Sequence, residues 1–245
     1  MFPPGSTIRR VDGESVLLLG GPRALLMQLA HPAVAKAVDE HSDFERDPFA
    51  RLRRTLDMTS ALVFGSDGEA ARSVASIRAV HGRVVGDGYR ADDPELLLWV
   101  HATLVDTALH VHRVFLRRLS RREAEEFYEQ STAVAVALGL PRECQPRDLA
   151  AFRAYVDHMV ATLEVTATAR RLSRAVLEPR VPLVTTPVFA AVRQVTIGLL
   201  PARLRSAYRL SWDPARGAAL AALALTSRAV LPRLPRPLRT LGAAP

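Results

Sequence analysis

Three histidines, His31, His81 and His101, fall on apolar faces of predicted helices, and a separate helix carries Arg51-Leu52-Arg53-Arg54-Thr55. Neutral imidazole is a good metal ligand, and arginine presents rigid donors suited to a carboxylate or an oxygen species. A helical chain that sets imidazoles among leucines and valines, with a cationic group nearby, has the parts to hold a haem and place oxygen beside it. Each residue also has a plainer use: a core histidine bonded to a backbone carbonyl, or an arginine that snorkels from an apolar margin to water.

The spacing is specific. Val74, Ile77, His81 and Val84 recur at three- and four-residue steps, which puts the His81 ring on an apolar stripe. His101 shares its face with Leu97, Leu104 and Ala108. His31 precedes Pro32, where it either projects into a pocket or supports a bend. Arg51, Arg54, Thr55 and Met58 fall at i, i+3, i+4 and i+7 and share one face, beside an apolar face of Phe49, Leu52, Leu56 and Val63. His110 and His112 lie two apart, point in different directions and read as partly solvated. Asp106 and His110, four apart, have the spacing of a carboxylate–histidine pair.

Helices must position these groups, and their starts are marked by Asp-Pro pairs, because aspartate caps free N–H groups and proline loses no useful donor at the first helical position. Asp47-Pro48, Asp93-Pro94 and Asp213-Pro214 fit, Gly21-Pro22 is a fourth start, and Ser120-Arg121-Arg122-Glu123 has capping-box spacing. Gly65 and Gly139 stand where left-handed residues end helices. The predicted helices run near 22–38, 48–64, 69–85, 94–118, 121–137, 148–175, 187–199 and 214–230, the first interrupted at His31-Pro32. No strand is required, although Val181–Val184 is a segment that can pair. The proline-rich end from Leu231 reads as extended or disordered, being too proline-rich for a helix.

Composition suits one soluble domain of 245 residues, 49% hydrophobic and 24% charged. Formal charge is +8, nearly all of it arginine, since Lys36 is the only lysine. The arginines are spread through every segment, which argues against a nucleic-acid stripe. Cys144 stands alone, so no intramolecular disulfide or thiolate cluster forms. The first residues lack a secretory pattern and no apolar run reaches the ~20 residues of a membrane span, so the expected location is cytoplasmic, with peripheral membrane contact left open. No His-Glu-x-x-His, Glu-x-x-His, glycine-rich phosphate loop or Gly-x-Ser-x-Gly is present, leaving zinc, di-iron, nucleotide and hydrolase chemistry without a motif.

Longer motifs carry a resemblance. Gly20-Gly21-Pro22-Arg23-Ala24-Leu25-Leu26 runs into Gln28-Leu29-Ala30-His31-Pro32. There follow His41-Ser42-Asp43-Phe44, Asp47-Pro48 with Arg51-Leu52-Arg53-Arg54-Thr55, Phe64-Gly65, Val80-His81 and Trp99-Val100-His101. Over roughly residues 15–160 these resemble the haem-dependent oxygenases grouped with rubber oxygenase (latex clearing protein) and the MpaB oxygenase. The resemblance implies an all-α, single-domain bundle, globin-like in helix content, around a buried haem b. It divides the chain into an extension (1–14), a catalytic domain (15–230) and a proline-rich tail (231–245). It also implies that His81 is the proximal iron ligand, that Arg51 polarises oxygen and that Thr55 gives or relays a proton. The rubber oxygenase branch has Arg-x-x-Lys-Thr here; Arg54 replaces the lysine, and an always-protonated guanidinium is a poor iron ligand.

The residues leave open whether His81 or His101 holds iron, and whether His31, His101 or solvent fills the opposite side, with Met58 lining the same pocket. The expected activity is dioxygen-dependent oxidation of a small lipophilic or isoprenoid-like molecule. Two other uses fit the sequence: a non-catalytic binder of haem or a lipophilic ligand, and a basic helical interaction module, which needs no haem and binds in a salt-sensitive way.

Overall fold

Side chains that cap backbone N–H groups set six of the helix starts in the computed structural model, which describes residues 2–42, 48–179 and 185–241. The chain begins with α1 (Thr7–Asp12), passes through a 3₁₀ turn over Ser15–Gly20 and enters α2 (Gly21–Leu29) at Gly21-Pro22. The expected break falls at His31, and α3 (Pro32–His41) resumes with proline in its first turn. Next come α4 (Pro48–Phe64) and α5 (Asp67–His81), joined at Ser66, whose hydroxyl accepts from Glu69 N–H while Glu69 bonds back to Ser66 N–H at 2.8 Å. The Asp47 cap and the 181–184 segment lie outside the described residues.

A hairpin of β1 (Val85–Gly86) and β2 (Tyr89–Arg90) turns at Asp87-Gly88, with Gly88 at φ +80°. Two-residue strands carry no alternation to read, which is why the sequence shows none; the Asp-Gly turn was the available signal. Asp93 accepts from Glu95 N–H at 2.8 Å and opens α6 (Pro94–Phe115), and Ser120 and Glu123 form the expected box at α7 (Arg121–Ala137). The segment read as one helix over 148–175 is two, α8 (Leu149–Thr162) and α9 (Ala167–Leu177), because Thr166 caps a fresh start through Ala169 N–H. Then follow α10 (Thr186–Leu199), α11 (Ala202–Ala207), α12 (Pro214–Val230) and α13 (Arg236–Arg239).

The fold is all-α and forms one domain, the hairpin being the only sheet among the described residues. Gly139 ends α7 in the expected left-handed geometry (φ +102°); Gly65 does not, and what its position requires is closeness, a Cβ there falling 2.5 Å from the Ala61 carbonyl oxygen. The proline-rich end is not simply extended. It forms a 3₁₀ turn and α13, then Thr240 pairs with Glu14 in an antiparallel bridge, and Leu241 N–H donates to the Gly13 carbonyl at 2.6 Å.

Trp99, Phe115, Phe127, Phe152, Leu26 and Met27 fill the interior. Trp99 Nε1–H donates to the Met27 carbonyl (3.1 Å) and the Tyr208 hydroxyl to that of Leu26 (2.7 Å), supplying donors to the last turn of α2. These bonds tie the end of α2, which Pro32 terminates, to α6 and to Tyr208 just after α11. Arg23, 2% exposed, ties α2 to α6 and α10: Nη1 donates to Thr107 Oγ1 (2.5 Å), Nη2 to Asp106 Oδ2 (2.6 Å) and Nε to the Leu199 carbonyl (2.9 Å).

Gly20 lies against α6 so closely that a Cβ would come within 2.6 Å of Thr107 Cγ2 and 2.8 Å of Val111 Cγ2. Gly20→Ala is therefore expected to destabilise the protein by ~1–3 kcal/mol through overpacking. An unchanged denaturation midpoint for the alanine variant would contradict this close fit.

Candidate functional site

α4 and α5 are joined by a two-residue turn and pack against each other, so they run antiparallel. The Ser73 hydroxyl donates to the Met58 carbonyl at 3.4 Å and sets their register. The side chains of Arg51 and Arg54 lie outside the described residues; Thr55 and Met58 are half-buried on the same helix. On α5, Val74, Ile77 and His81 form the expected half-buried stripe, continued by Val84 beyond the helix end, while Val80 is 50% exposed. α5 ends at His81 rather than near 85, Gly82 closing it, so the imidazole stands at a helix C-terminus.

The three histidines are related through the first half of α6. His31, half-buried in extended backbone (φ −80°, ψ 123°), makes no capping bond to α3; burial lowers its pKa, opposed by the carboxylates of Glu95 and Asp93. His81 lies near enough to Asp92 to help hold that carboxyl low, the hydrogen bond from Arg90 being the larger cause. His101 lies seven residues into α6, ~10 Å along its axis from Pro94. Burial pushes its pKa down to about 4, the Ser131 backbone of α7 opposing this as a hydrogen-bond partner.

Two ring nitrogens in this group, His31 Nδ1 and His101 Nε2, are buried without a hydrogen-bond partner. Leaving a buried polar atom unsatisfied costs about 1–3 kcal/mol, so such atoms in a native protein call for a partner outside the chain's own hydrogen bonds. The chemistry of these donors fits a haem, since neutral imidazoles would supply nitrogen ligands to its iron.

Other histidines are committed elsewhere. His112 is buried, not partly solvated, and its Nδ1 bonds to the Arg117 carbonyl at 2.8 Å. Asp106 and His110 form no direct hydrogen bond: Arg23 takes the carboxylate and Arg113 donates to His110 Nδ1 at 3.0 Å.

Sequence reasoning missed Asp12. It ends α1, is half-buried, and has no ion pair or hydrogen bond among the described residues; burial pushes its pKa up to about 7. Its helix is too short to show a periodic face, so nothing local announced the burial. A carboxyl whose folded pKa is raised binds more protons folded than unfolded between about 4 and 7, so it costs stability progressively as pH rises through that range. Asp12→Asn is expected to raise the melting temperature more at pH 8 than at pH 4, and equal gains at both pH values would refute this burial.

Residues 8–229 match the family described as "ER-bound oxygenase mpaB/B'/Rubber oxygenase, catalytic domain". The chain belongs to this family. It is 26% identical over 205 residues to the uncharacterized protein Rv2237 of Mycobacterium tuberculosis, covering 78% of this chain and 80% of that one, and equally to the uncharacterized protein Mb2261 of Mycobacterium bovis. No solved structure matches it. Membership in the mpaB/rubber oxygenase family makes oxygenase chemistry, with dioxygen and an organic substrate, its general class. Among the described residues no helix is long and apolar enough to cross a membrane.

Proposed function

We propose that the protein is a haem b-dependent oxygenase acting on a small lipophilic, isoprenoid-like substrate in the cytoplasm. The observation that carries this is the pair of buried, unpartnered imidazole nitrogens beside α6 in a chain of the mpaB/rubber oxygenase family. His81 is assigned as the iron ligand from the resemblance, supported by its place at the end of the apolar stripe on α5. His31 and His101 would supply further nitrogen donors to the haem, and Met58 would add an apolar contact. When bound, the haem supplies the redox chemistry that activates dioxygen.

The chain's own residues do the rest. Arg51 and Arg54, three residues apart on α4, are of a residue type that would suit negative charge on oxygen or on haem propionates. Thr55 carries a hydroxyl that can hold and pass a proton. Arg54 stands where the rubber oxygenase branch has lysine, and since a guanidinium is a poor iron ligand, ligation would fall to imidazole. The half-buried Val74 and Ile77 side chains exclude water and favour an apolar substrate.

An absorption spectrum of protein from haem-supplemented cells, with a pyridine haemochrome assay, tests the reading. A Soret band at about one haem per chain supports it, and oxygen uptake with isoprenoid substrates then separates an oxygenase from a passive binder. Protein that neither carries nor takes up haem overturns it.

A further inference from the structure

The charge of this chain is divided unevenly. After Glu178 the sequence holds ten arginines and a single acid, Asp213, so residues 179–245 carry +9 and everything before them −1. Arginines occur throughout; it is the carboxylates that vanish from the last third. The same third presents an apolar surface. In α12 the residues 217–227 include no charge. Its inward side is set by buried Ala224 and half-buried Leu220, packed toward α10 and α6. The opposite side, Ala218, Ala222, Leu225 and Ala229, is exposed and follows helical spacing. Leu225 is 65% exposed, Val230 47% and Leu223 43%, with Val188 of α10 at 63% and Leu238 of α13 at 68%.

A soluble helix ordinarily turns charge to water on this side. Here the charges stand at the margins. Arg228 donates to the carbonyls of Val114 and Arg113, and Arg233 to that of Ala229; neither has a carboxylate partner among the described residues, and neither has Arg113. Exposed leucines and valines rimmed by uncompensated arginines match one environment in both respects, the interface of a bilayer with anionic headgroups.

From this we infer that α12 is a docking face for an anionic lipid surface. The leucines enter the headgroup–acyl boundary and the arginines meet lipid phosphates, which holds the protein where lipophilic molecules are dissolved. Nucleic acid would use the arginines but gain nothing from the exposed leucines, and a second copy of the chain would bring like charge against like. The part of the inference that concerns substrate supply rests on the proposed oxygenase reading; the docking itself does not.

Co-sedimentation of the whole protein with vesicles tests it. Binding is expected to vesicles of phosphatidylglycerol and phosphatidylcholine, and to fall roughly tenfold or more on pure phosphatidylcholine or in Arg233→Glu. A similar loss is expected for Leu223→Glu with Leu225→Glu, two exposed positions whose replacement leaves the circular dichroism spectrum unchanged. In the unaltered protein, vesicles should slow hydrogen exchange across 214–230. Absence of binding to anionic vesicles overturns the inference. So does binding that the leucine changes leave intact, which would mark a purely electrostatic polyanion site, or a leucine effect confined to the oligomeric state measured by light scattering, which would mark a self-contact. Haem content of the same samples is read separately from the Soret band, so failure of docking and failure of the haem reading are distinguishable.

Discussion

His81→Ala is expected to abolish haem retention, whereas His158→Ala, on the exposed side of α8, should leave one haem per chain. The imidazole at position 81 stands at the end of α5, beyond the half-buried Val74 and Ile77, so alanine there removes the proposed ligand while leaving these apolar side chains in place. Loss of the Soret band with an intact circular dichroism spectrum is the predicted result. Equal haem content in His81→Ala and His158→Ala would sink the assignment, and haem lost from His101→Ala but kept in His81→Ala would move the ligand role to α6. The comparison has force because His101 Nε2 is a buried, unpartnered nitrogen and so a real competitor.

The largest stability effect is expected at Arg23. Its guanidinium is buried and holds a carboxylate, a hydroxyl and a helix-terminal carbonyl from two other helices. Arg23→Ala leaves Asp106 charged with no counter-ion at a partly buried place, its side chain being 26% exposed. Breaking such a pair from one side costs ~3–5 kcal/mol. For a chain of this size that corresponds to a melting temperature lower by roughly 10 °C or more. Combining Arg23→Met with Asp106→Leu should cost less than Arg23→Ala alone, because no charge is then left behind. A double variant as unstable as the sum of the single ones would show that the guanidinium acts by packing and not by pairing.

What the sequence made legible was local. The bounds read for 48–64, 121–137 and 214–230 coincide with α4, α7 and α12, and the start at Asp93-Pro94 with that of α6, since caps and prolines act within a few residues of themselves. The break at His31-Pro32 follows from one proline. α1 and α11 were missed because six residues make less than two turns, and the division at Thr166 was hidden by apolar spacing that continues across it. The site divides the same way. Helical spacing put Arg51, Arg54, Thr55 and Met58 on one face and His81 on a stripe. That these two helices meet in register depends on the Ser66 capping box and the Ser73–Met58 bond, neither of which has a periodic signature. Arg23 and Asp12 were illegible for a further reason: their burial comes from partners far along the chain, the Leu199 carbonyl lying 176 residues from Arg23.

The bond between Leu241 and Gly13, the bridge between Thr240 and Glu14, and the Arg239 guanidinium 3.4 Å from the Glu14 carboxylate fasten the last described turn to the residues directly after α1. Terminal segments ordinarily fray independently and exchange their amide hydrogens first. Here the tail is tied to Gly13 and Glu14, next to an α1 that is itself held by α7 and buried at Ile8 and Val11, so the tail's amides should exchange more slowly than those of an unattached end although more than 200 residues separate the two strands of the bridge along the chain.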